Sequence, residues 1–271
     1  MTNALLAVGQ MTSTADLEAN LRTCDDLAKQ AKARGASLLC LPENFAFMGM
    51  GDGESRKVME PLEGPLFSRY RSIAQDHALW LCCGGFPEQV DEARHYNAHV
   101  VIDDQGAVRS VYRKLHLFDV QLGANTYQES ASVAPGHELV VTDAPIGKLG
   151  LSICYDLRFP ELYLSLAKRG AQVLLVPAAF TLTTGKEHWE ALLRARAIET
   201  QCYVAASAQT GRHNDKRETF GHAMIVDPWG TVVAQCKDGT GIAVAEVDLA
   251  FLQTVRTRIP VWQHRRTDVY G

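Results

Sequence analysis

The chain has 271 residues, 46% of them hydrophobic and 21% charged, with a formal net charge of −4. That length supports a large buried core, and a mildly acidic chain whose densest basic cluster is confined to residues 256–266 carries no nucleic-acid footprint. No apolar run approaches the roughly 20 residues that span a bilayer, and the opening MTNALLAVGQ lacks the basic region and long apolar run of a secretory signal, so a cytoplasmic protein with no membrane partner is expected.

The elements follow in chain order. An apolar run over 3–10 predicts a strand. Ser13, Thr14 and Asp16 then open a helix in which Leu17, Leu21, Leu27 and Ala31 recur at helical spacing, and Gly35 ends it. A strand over 37–41 is cut off by Pro42 and Glu43, and a Gly- and Met-rich loop covers 48–53. A helix over 65–77 and a strand over 79–85 follow. The runs 96–102 and 107–112 flank the turn Asp103-Asp104-Gln105-Gly106 and predict a hairpin. After an irregular stretch over 117–136 the order repeats: strand 149–153, helix 160–169, strand 173–176, helix 187–200, strand 203–207. A second hairpin pairs 221–226 with 231–234.

The plan is therefore strand–helix–strand–helix–strand–hairpin, twice, with no linker between the halves. Each half gives a sheet with helices on one face, so the uncovered faces need a partner. Stacking them on each other predicts an α/β fold, a four-layer α–β–β–α sandwich with an internal pseudo-two-fold, in one domain over 1–271. Consecutive apolar residues over 79–83 and 174–176 fit strands buried on both faces.

Seven cysteines form no disulfide framework and no C-x-x-C pair. Cys24, Cys40, Cys82, Cys83, Cys202 and Cys236 read as reduced structural residues. Nine histidines show no metal-ligand spacing; His95 and His99, four apart in an alternating strand, read as surface residues. No metal or cofactor is expected.

Cys154 differs from the other six. It follows the apolar run 149–153 and precedes Pro160, which suits the first turn of a helix. It therefore sits at a strand end before a helix, where free N–H groups favour a thiolate. A lone cysteine is more often a small buried hydrophobe, but two further stretches end strands on groups that a sulfur nucleophile needs. Glu43 directly follows Leu41-Pro42, and Lys114 follows the second hairpin strand. Active sites in open α/β sheets gather at such strand ends. Nucleophile, base and fixed cation together fit acyl transfer through a covalent intermediate.

Three stretches resemble the motifs of the nitrilase-like carbon–nitrogen hydrolase superfamily: Leu41-Pro42-Glu43-Asn44-Phe45, Tyr112-Arg113-Lys114-Leu115-His116-Leu117, and Cys154-Tyr155-Asp156-Leu157-Arg158-Phe159-Pro160-Glu161. The resemblance extends through His188-Trp189-Glu190, the run 194–200 and Gly221-His222-Ala223-Met224. Gly211-Arg212-His213, Asp227-Pro228-Trp229-Gly230-Thr231 and the tail over 263–271 are most similar to the deaminated glutathione amidase branch.

The resemblance implies the α–β–β–α fold and a Glu43–Lys114–Cys154 triad. It also implies a second glutamate beside the lysine, best matched by Glu129, with Glu138 as the other candidate. It further implies an amidase that cleaves deaminated glutathione to 2-oxoglutarate and cysteinylglycine through a thioester. The alternatives are an ω-amidase acting on 2-oxoglutaramate and a scaffold without chemistry. Arg158 is the expected partner of a substrate carboxylate, unless it pairs with Asp156. Arg212 and His213 are placed to reach the substrate, and Phe45, Tyr155, Phe180 and Thr181 are expected pocket walls. A homodimer or higher homo-oligomer is implied, with the tail over 259–271 at its interface.

Overall fold

The computed structural model describes residues 4–270, except 52 and 124. The expected first residue of the opening strand, residue 3, and the end of the tail at 271 lie outside the described residues, as does 52 within the loop over 48–53.

The first half runs β1 (Ala4–Met11), α1 (Leu17–Ala33), β2 (Ala36–Leu41), α2 (Pro65–Asp76), β3 (Trp80–Gln89), β4 (His95–Ile102) and β5 (Val108–Arg113). Asp16 caps α1 by accepting from the Ala19 N–H at 3.0 Å. Pro65 opens α2. Next come the small hairpin β6 (Asp119–Leu122) and β7 (Asn125–Gln128), then β8 (Val133–Ala134).

The second half runs β9 (Val141–Ala144), β10 (Gly147–Leu151), α3 (Pro160–Lys168), β11 (Val173–Leu175), α4 (Leu182–Thr200) and β12 (Tyr203–Ala206). It continues through β13 (Ala208–Arg212), β14 (Glu218–Phe220), β15 (Met224–Val226), β16 (Val232–Gln235) and β17 (Gly241–Val247). Helices α5 (Leu249–Arg258), α6 (Val261–His264) and α7 (Thr267–Tyr270) close the described chain.

Both halves follow one plan. β1, β2 and β3 are parallel and β4 and β5 return antiparallel. β10, β11 and β12 are parallel and β15 and β16 return antiparallel. The halves are not sealed from each other. β17 and β13 leave the second half and pair with β1 of the first sheet. The result is a nine-stranded sheet ordered β14-β13-β1-β2-β3-β4-β5, with β17 also on β1 and β8 on β4, facing a six-stranded sheet ordered β16-β15-β12-β11-β10-β9.

Strand alternation decides which side chains join which layer. Leu6, Val8, Leu38, Cys40, Cys82 and Val101 turn inward and share one buried cluster with Leu149, Leu151, Leu174 and Val176 of the opposite sheet. Ala7, Leu39, Leu41, Leu81 and Cys83 turn outward, against Leu27 of α1 and Phe67 and Tyr70 of α2. The cluster between the sheets continues through the six-stranded sheet to Tyr163 of α3 and Trp189 of α4. The layers are thus α–β–β–α, and the consecutive apolar residues of β3 serve both faces.

The same alternation corrects the reading of the two β4 histidines. His95 and His99 are buried, 5% and 0% exposed, because 95, 97, 99 and 101 share the inward face. The His99 Nδ1 donates to the Ser152 carbonyl across the sheets at 3.0 Å, and burial holds its pKa down at about 4, so it stays neutral. All seven cysteines are buried and free.

The sheets are in close contact near the strand ends. A Cβ on Gly84 of β3 would lie 2.1 Å from the Pro177 Cβ and 2.9 Å from the Leu41 carbonyl. Gly84→Ala is therefore expected to lower stability by about 1–3 kcal/mol, as overpacking does. A urea-unfolding midpoint equal to that of the parent chain would contradict this contact.

Candidate active site

Five strand ends converge on one cavity. Glu43 follows β2, Asn97 lies in β4, Lys114 follows β5, Cys154 follows β10 and Ala179 follows β11. Glu129 comes from the turn after β7. Glu43, Lys114, Glu129 and Cys154 all line the same cavity.

Lys114 is the hub. Its side chain is 2% exposed. Its Nζ donates to Glu43 Oε1 at 2.9 Å and to both Glu129 oxygens at 3.0 and 2.9 Å. The Asn97 amide, which sequence reasoning missed, donates to Glu43 Oε1 at 2.9 Å and to Glu129 Oε1 at 3.0 Å. The Phe118 N–H adds a bond to Glu129 Oε2 at 2.7 Å, and the Ala179 N–H one to Glu43 Oε2 at 3.1 Å. Glu138, the other candidate for the second glutamate, is exposed in the extended segment before β9 and stays outside the cluster.

Two residues hold the glutamate loop in shape. Asn44 takes a left-handed φ of 59°, and Gly85 of the β3 bulge a φ of 77°. A Cβ on Gly85 would fall 2.9 Å from Asn44 N, Asn97 Oδ1 and Glu43 Cγ, so only glycine fits beside the carboxylate.

Cys154 is itself in the left-handed region, φ 45°. Such a residue is strained by roughly 1–3 kcal/mol and persists only where its surroundings over-determine it. Here the Cys154 N–H donates to the Pro177 carbonyl at 2.9 Å. The Asp156 carboxylate, fully buried, accepts from the Ile153 N–H at 2.8 Å, Tyr112 Oη at 2.6 Å and the His116 backbone N–H and Nδ1 at 3.1 and 2.7 Å. The His116 ring stacks on Phe159 at 3.7 Å. Asp156 thus clamps the turn and makes no pair with Arg158. Arg158 instead lies over the Phe180 ring, 5.5 Å from its centroid.

Electrostatics fix the resting protonation. Burial pushes Glu43 upward, but the Lys114 ammonium and hydrogen bonds from Lys114, Cys154 and Asn97 outweigh it, so its carboxyl lies below the usual carboxylate range. Burial disfavours charge on Lys114, yet Glu129 and Glu43 hold it well above the normal lysine value. Burial and the Glu43 charge push the Cys154 thiol well above a free thiol, against the opposing pull of Lys114. The resting site therefore holds an ionised Glu43, the Lys114 ammonium and a neutral Cys154 thiol. This reverses the expectation of a thiolate, because desolvation and an adjacent anion exceed what the turn's N–H groups supply. It also places Glu43 lower than a carboxylate tuned toward neutral pH. Among the described residues no cluster of His, Cys, Asp or Glu side chains could hold a metal.

Of the expected wall residues, Tyr155, Arg158, Phe180 and Thr181 line the cavity. Phe45 does not. The left-handed turn at Asn44 sends it into the outer core, edge-on to Tyr70 at 4.8 Å, and Phe47 lines the cavity instead. Arg212 is exposed and pairs with Asp215 at 3.1 Å. His213 is buried, with Nδ1 on the Ser13 carbonyl at 2.8 Å and Nε2 on Thr219 Oγ1 at 2.6 Å. From that hairpin it is Arg217, Glu218 and Thr219 that line the cavity.

The carbon–nitrogen hydrolase family model matches residues 5–257. The chain is 50% identical to the deaminated glutathione amidase of Bos taurus, covering 98% of this chain and 83% of that protein. It is 49% identical to the Homo sapiens protein of the same name, over 98% and 84%. The crystal structure of the Caenorhabditis elegans NitFhit protein superposes with a TM-score of 0.94 at 46% identity, covering 99% of this chain and 66% of that one. An amidase from Nesterenkonia sp. AN1 superposes at 0.81 and 26% identity, over 99% and 95%; in that structure a Glu-to-Gln mutant carries the acetamide moiety of fluoroacetamide covalently on the active-site cysteine. The chain belongs to the carbon–nitrogen hydrolase family.

Proposed function

We propose that this chain is a cysteine-dependent amidase that hydrolyses deaminated glutathione to 2-oxoglutarate and cysteinylglycine. The observation that carries the reading is that Cys154, Glu43 and Lys114 line one cavity, with Lys114 Nζ 2.9 Å from Glu43 Oε1. The names of relatives about half identical to it point to the substrate.

The steps follow from the protonation states. Cys154 Sγ attacks the amide carbon as its proton passes to Glu43. Negative charge moves to the carbonyl oxygen, which Lys114 Nζ and the Tyr155 N–H are placed to receive. One such donor contributes about 2.7–4 kcal/mol to the transition state. Collapse breaks the C–N bond, and Glu43 returns its proton to the departing amine. A thioester on Cys154 remains. Water then attacks it, giving a proton to Glu43. The C–S bond breaks, the 2-oxo acid leaves and the thiol recovers the proton.

Glu129 and Asn97 act on Lys114 and Glu43 and touch no reacting atom. They keep the ammonium aimed between the carboxylates. Arg158 lines the cavity, lies on the same turn as the nucleophile and has no ion-pair partner among the described residues, which suits the carboxylate of the 2-oxo acid arm. Tyr155, Phe180 and Thr181 shape the pocket around it.

Cys154→Ala is expected to abolish turnover of deaminated glutathione while leaving the chain folded. Acid-quenched mass spectrometry of the parent enzyme with that substrate should show a 2-oxoglutaryl adduct on Cys154. Full turnover by the alanine variant refutes the scheme, and faster turnover of 2-oxoglutaramate than of deaminated glutathione marks an ω-amidase instead.

The raised thiol makes a second expectation. Iodoacetamide should alkylate Cys154 slowly at neutral pH, with the rate climbing only above the ordinary thiol value of 9.0. In Glu43→Gln the carboxylate that repels a thiolate is gone and Lys114 remains, so the climb should begin at lower pH. An unchanged or higher onset argues against the Glu43–Cys154 coupling.

We also propose a cytoplasmic homodimer or higher homo-oligomer with the end of the tail at its interface. The first part of the tail is held by its own subunit. Gln201 Nε2 donates to the Ile259 carbonyl at 2.7 Å, and Trp262 Nε1 to the Thr200 carbonyl at 3.3 Å. Beyond it Val269 and Tyr270 are 68% and 66% exposed. A chain ending after Arg266 should run as a smaller species by light scattering while its thermal unfolding stays near that of the parent; an unchanged mass removes the tail from the interface.

A further inference from the structure

The chemistry turns on where the Glu43 carboxylate points, and the contacts described so far hold only its oxygens. The backbone that carries it is held from the other half of the chain, by two polar side chains that the mechanism does not use. Ser207 and Gln209 are both wholly buried. They flank the point where the chain leaves β12 for β13. Side chains two apart in an extended segment share a face, and here both turn toward the loop after β2. Ser207 Oγ donates to the Leu41 carbonyl at 2.9 Å, and Gln209 Nε2 to the Glu43 carbonyl at 3.0 Å. The second Gln209 Nε2 proton goes to Ser13 Oγ at 2.7 Å, and Gln209 Oε1 accepts from the Ser13 N–H at 3.0 Å. Both amide protons are thus spent and the oxygen is engaged, which locks the side chain in one orientation.

The same two residues aim a donor at the base. Their backbones bracket Ala178, whose N–H donates to the Ser207 carbonyl at 3.0 Å and whose carbonyl accepts from the Gln209 N–H at 2.9 Å. In a planar trans peptide the C=O and the following N–H point opposite ways. Drawing the Ala178 carbonyl onto Gln209 therefore turns the Ala179 N–H toward Glu43, where it meets Oε2 at 3.1 Å. Oε1 already accepts from Lys114 Nζ and the Asn97 amide. Each carboxylate oxygen accepts about two hydrogen bonds, so Oε2 is the oxygen with room for the sulfur proton. We propose that Gln209, with Ser207 beside it, is a positioning residue for the general base: it ties the Glu43 backbone and the Ala178–Ala179 peptide into one unit, and so presents Oε2 to the Cys154 proton. Neither Gln209 nor Ser207 touches a reacting atom. This inference rests on the amidase reading, in which Glu43 is the base, and adds to it what orients that base.

Gln209→Met and Ser207→Ala remove the side-chain bonds with little change in volume. Gln10→Met is the control: Gln10 is equally buried, but its amide holds the Lys237 and Gly239 carbonyls and the Ala223 N–H, none of which belongs to the site. With deaminated glutathione or 2-oxoglutaramate as substrate, Gln209→Met is expected to lower kcat about ten- to a hundredfold, the scale of a misplaced reacting group, with KM close to that of the parent. Ser207→Ala should lower kcat by less. The pH profile separates positioning from plain destabilisation. Lys114, Asn97 and the Ala179 N–H face the Glu43 carboxylate and favour its charged form; Cys154, and Glu129 on the far side of Lys114, are the remaining ionisable neighbours. Burial pushes the Glu43 pKa up, and Lys114 leads the groups that bring it below the usual range, so a carboxylate loosened from them titrates higher. The acid limb of kcat/KM reports the base of the free enzyme. It should move to higher pH in Gln209→Met and, less far, in Ser207→Ala, and stay in place in Gln10→Met. An acid limb unmoved in both Gln209→Met and Ser207→Ala overturns the proposal, as does an equal move in Gln10→Met. Should Gln209→Met fail to fold, the limb of Ser207→Ala decides alone. A parent enzyme that turns over neither substrate defeats the amidase reading itself, and this inference with it.

Discussion

The site depends on one constraint: Lys114 must remain an ammonium although its side chain is almost wholly buried. Burial alone would strip its proton and would protonate Glu43 beside it. Together they hold one another charged. Breaking such a buried pair by removing one partner typically costs about 3–5 kcal/mol, because a naked charge is left behind. Here Lys114 answers two carboxylates at once, and Asn97 ties those carboxylates to each other with one amide. The ammonium therefore stabilises the cluster and also supplies a positive charge already aimed, with no reorganisation needed when an oxyanion forms.

That constraint shapes the chemistry of the thiol. A site with a preformed thiolate would need positive charge in excess, and the charges here run the other way. Burial and the Glu43 charge outweigh the pull of the one ammonium, so the sulfur keeps its proton. Reactivity must come from Glu43 taking the proton as the bond forms. The left-handed backbone of Cys154 serves the same end. It turns the thiol back toward the carboxylate, and the Pro177 carbonyl and the buried Asp156 hold the turn against its strain. Since Pro177 belongs to the end of β11 and Tyr112 to β5, the nucleophile's geometry is set by both sheets and cannot form until they pack.

Much of this was legible in the chain. Alternation and helical spacing mark the two equivalent halves, and their uncovered apolar faces require the stacked sheets. The abrupt stops at Pro42-Glu43, Lys114 and Cys154 point to polar groups at strand ends. What stayed hidden is long-range. β13 and β17 read as members of the second half, but they pair with β1, and no local pattern encodes that crossing. Asn97 looks like one polar residue in an apolar strand; its meaning appears only when Glu43 and Glu129 meet on either side of its amide. Phe45 and Arg212 sat at promising sequence positions and point elsewhere because single backbone turns, at Asn44 and along the β13–β14 hairpin, set side-chain direction. The thiol's charge state was misjudged for a related reason: local N–H groups are visible in sequence, while the anion beside them arrives from 111 residues away.

The division of labour within the cavity follows from the same physics. Lys114, Glu129, Asn97 and Glu43 are so tightly bonded to one another that none has spare capacity to read the remote parts of a substrate. Changing any of them would disturb the shared charge balance before it altered preference. Discrimination must then fall to groups outside the cluster, on the turn after Cys154 and on the wall from Phe180 to Thr219. Among them Tyr155, Arg158 and Thr181 are half-buried, so a change of side chain there alters one contact and leaves the buried charges intact. A rigid ionic centre surrounded by independent walls is an arrangement in which one acyl-transfer device can be matched to different amides through side chains that never touch the reacting carbon.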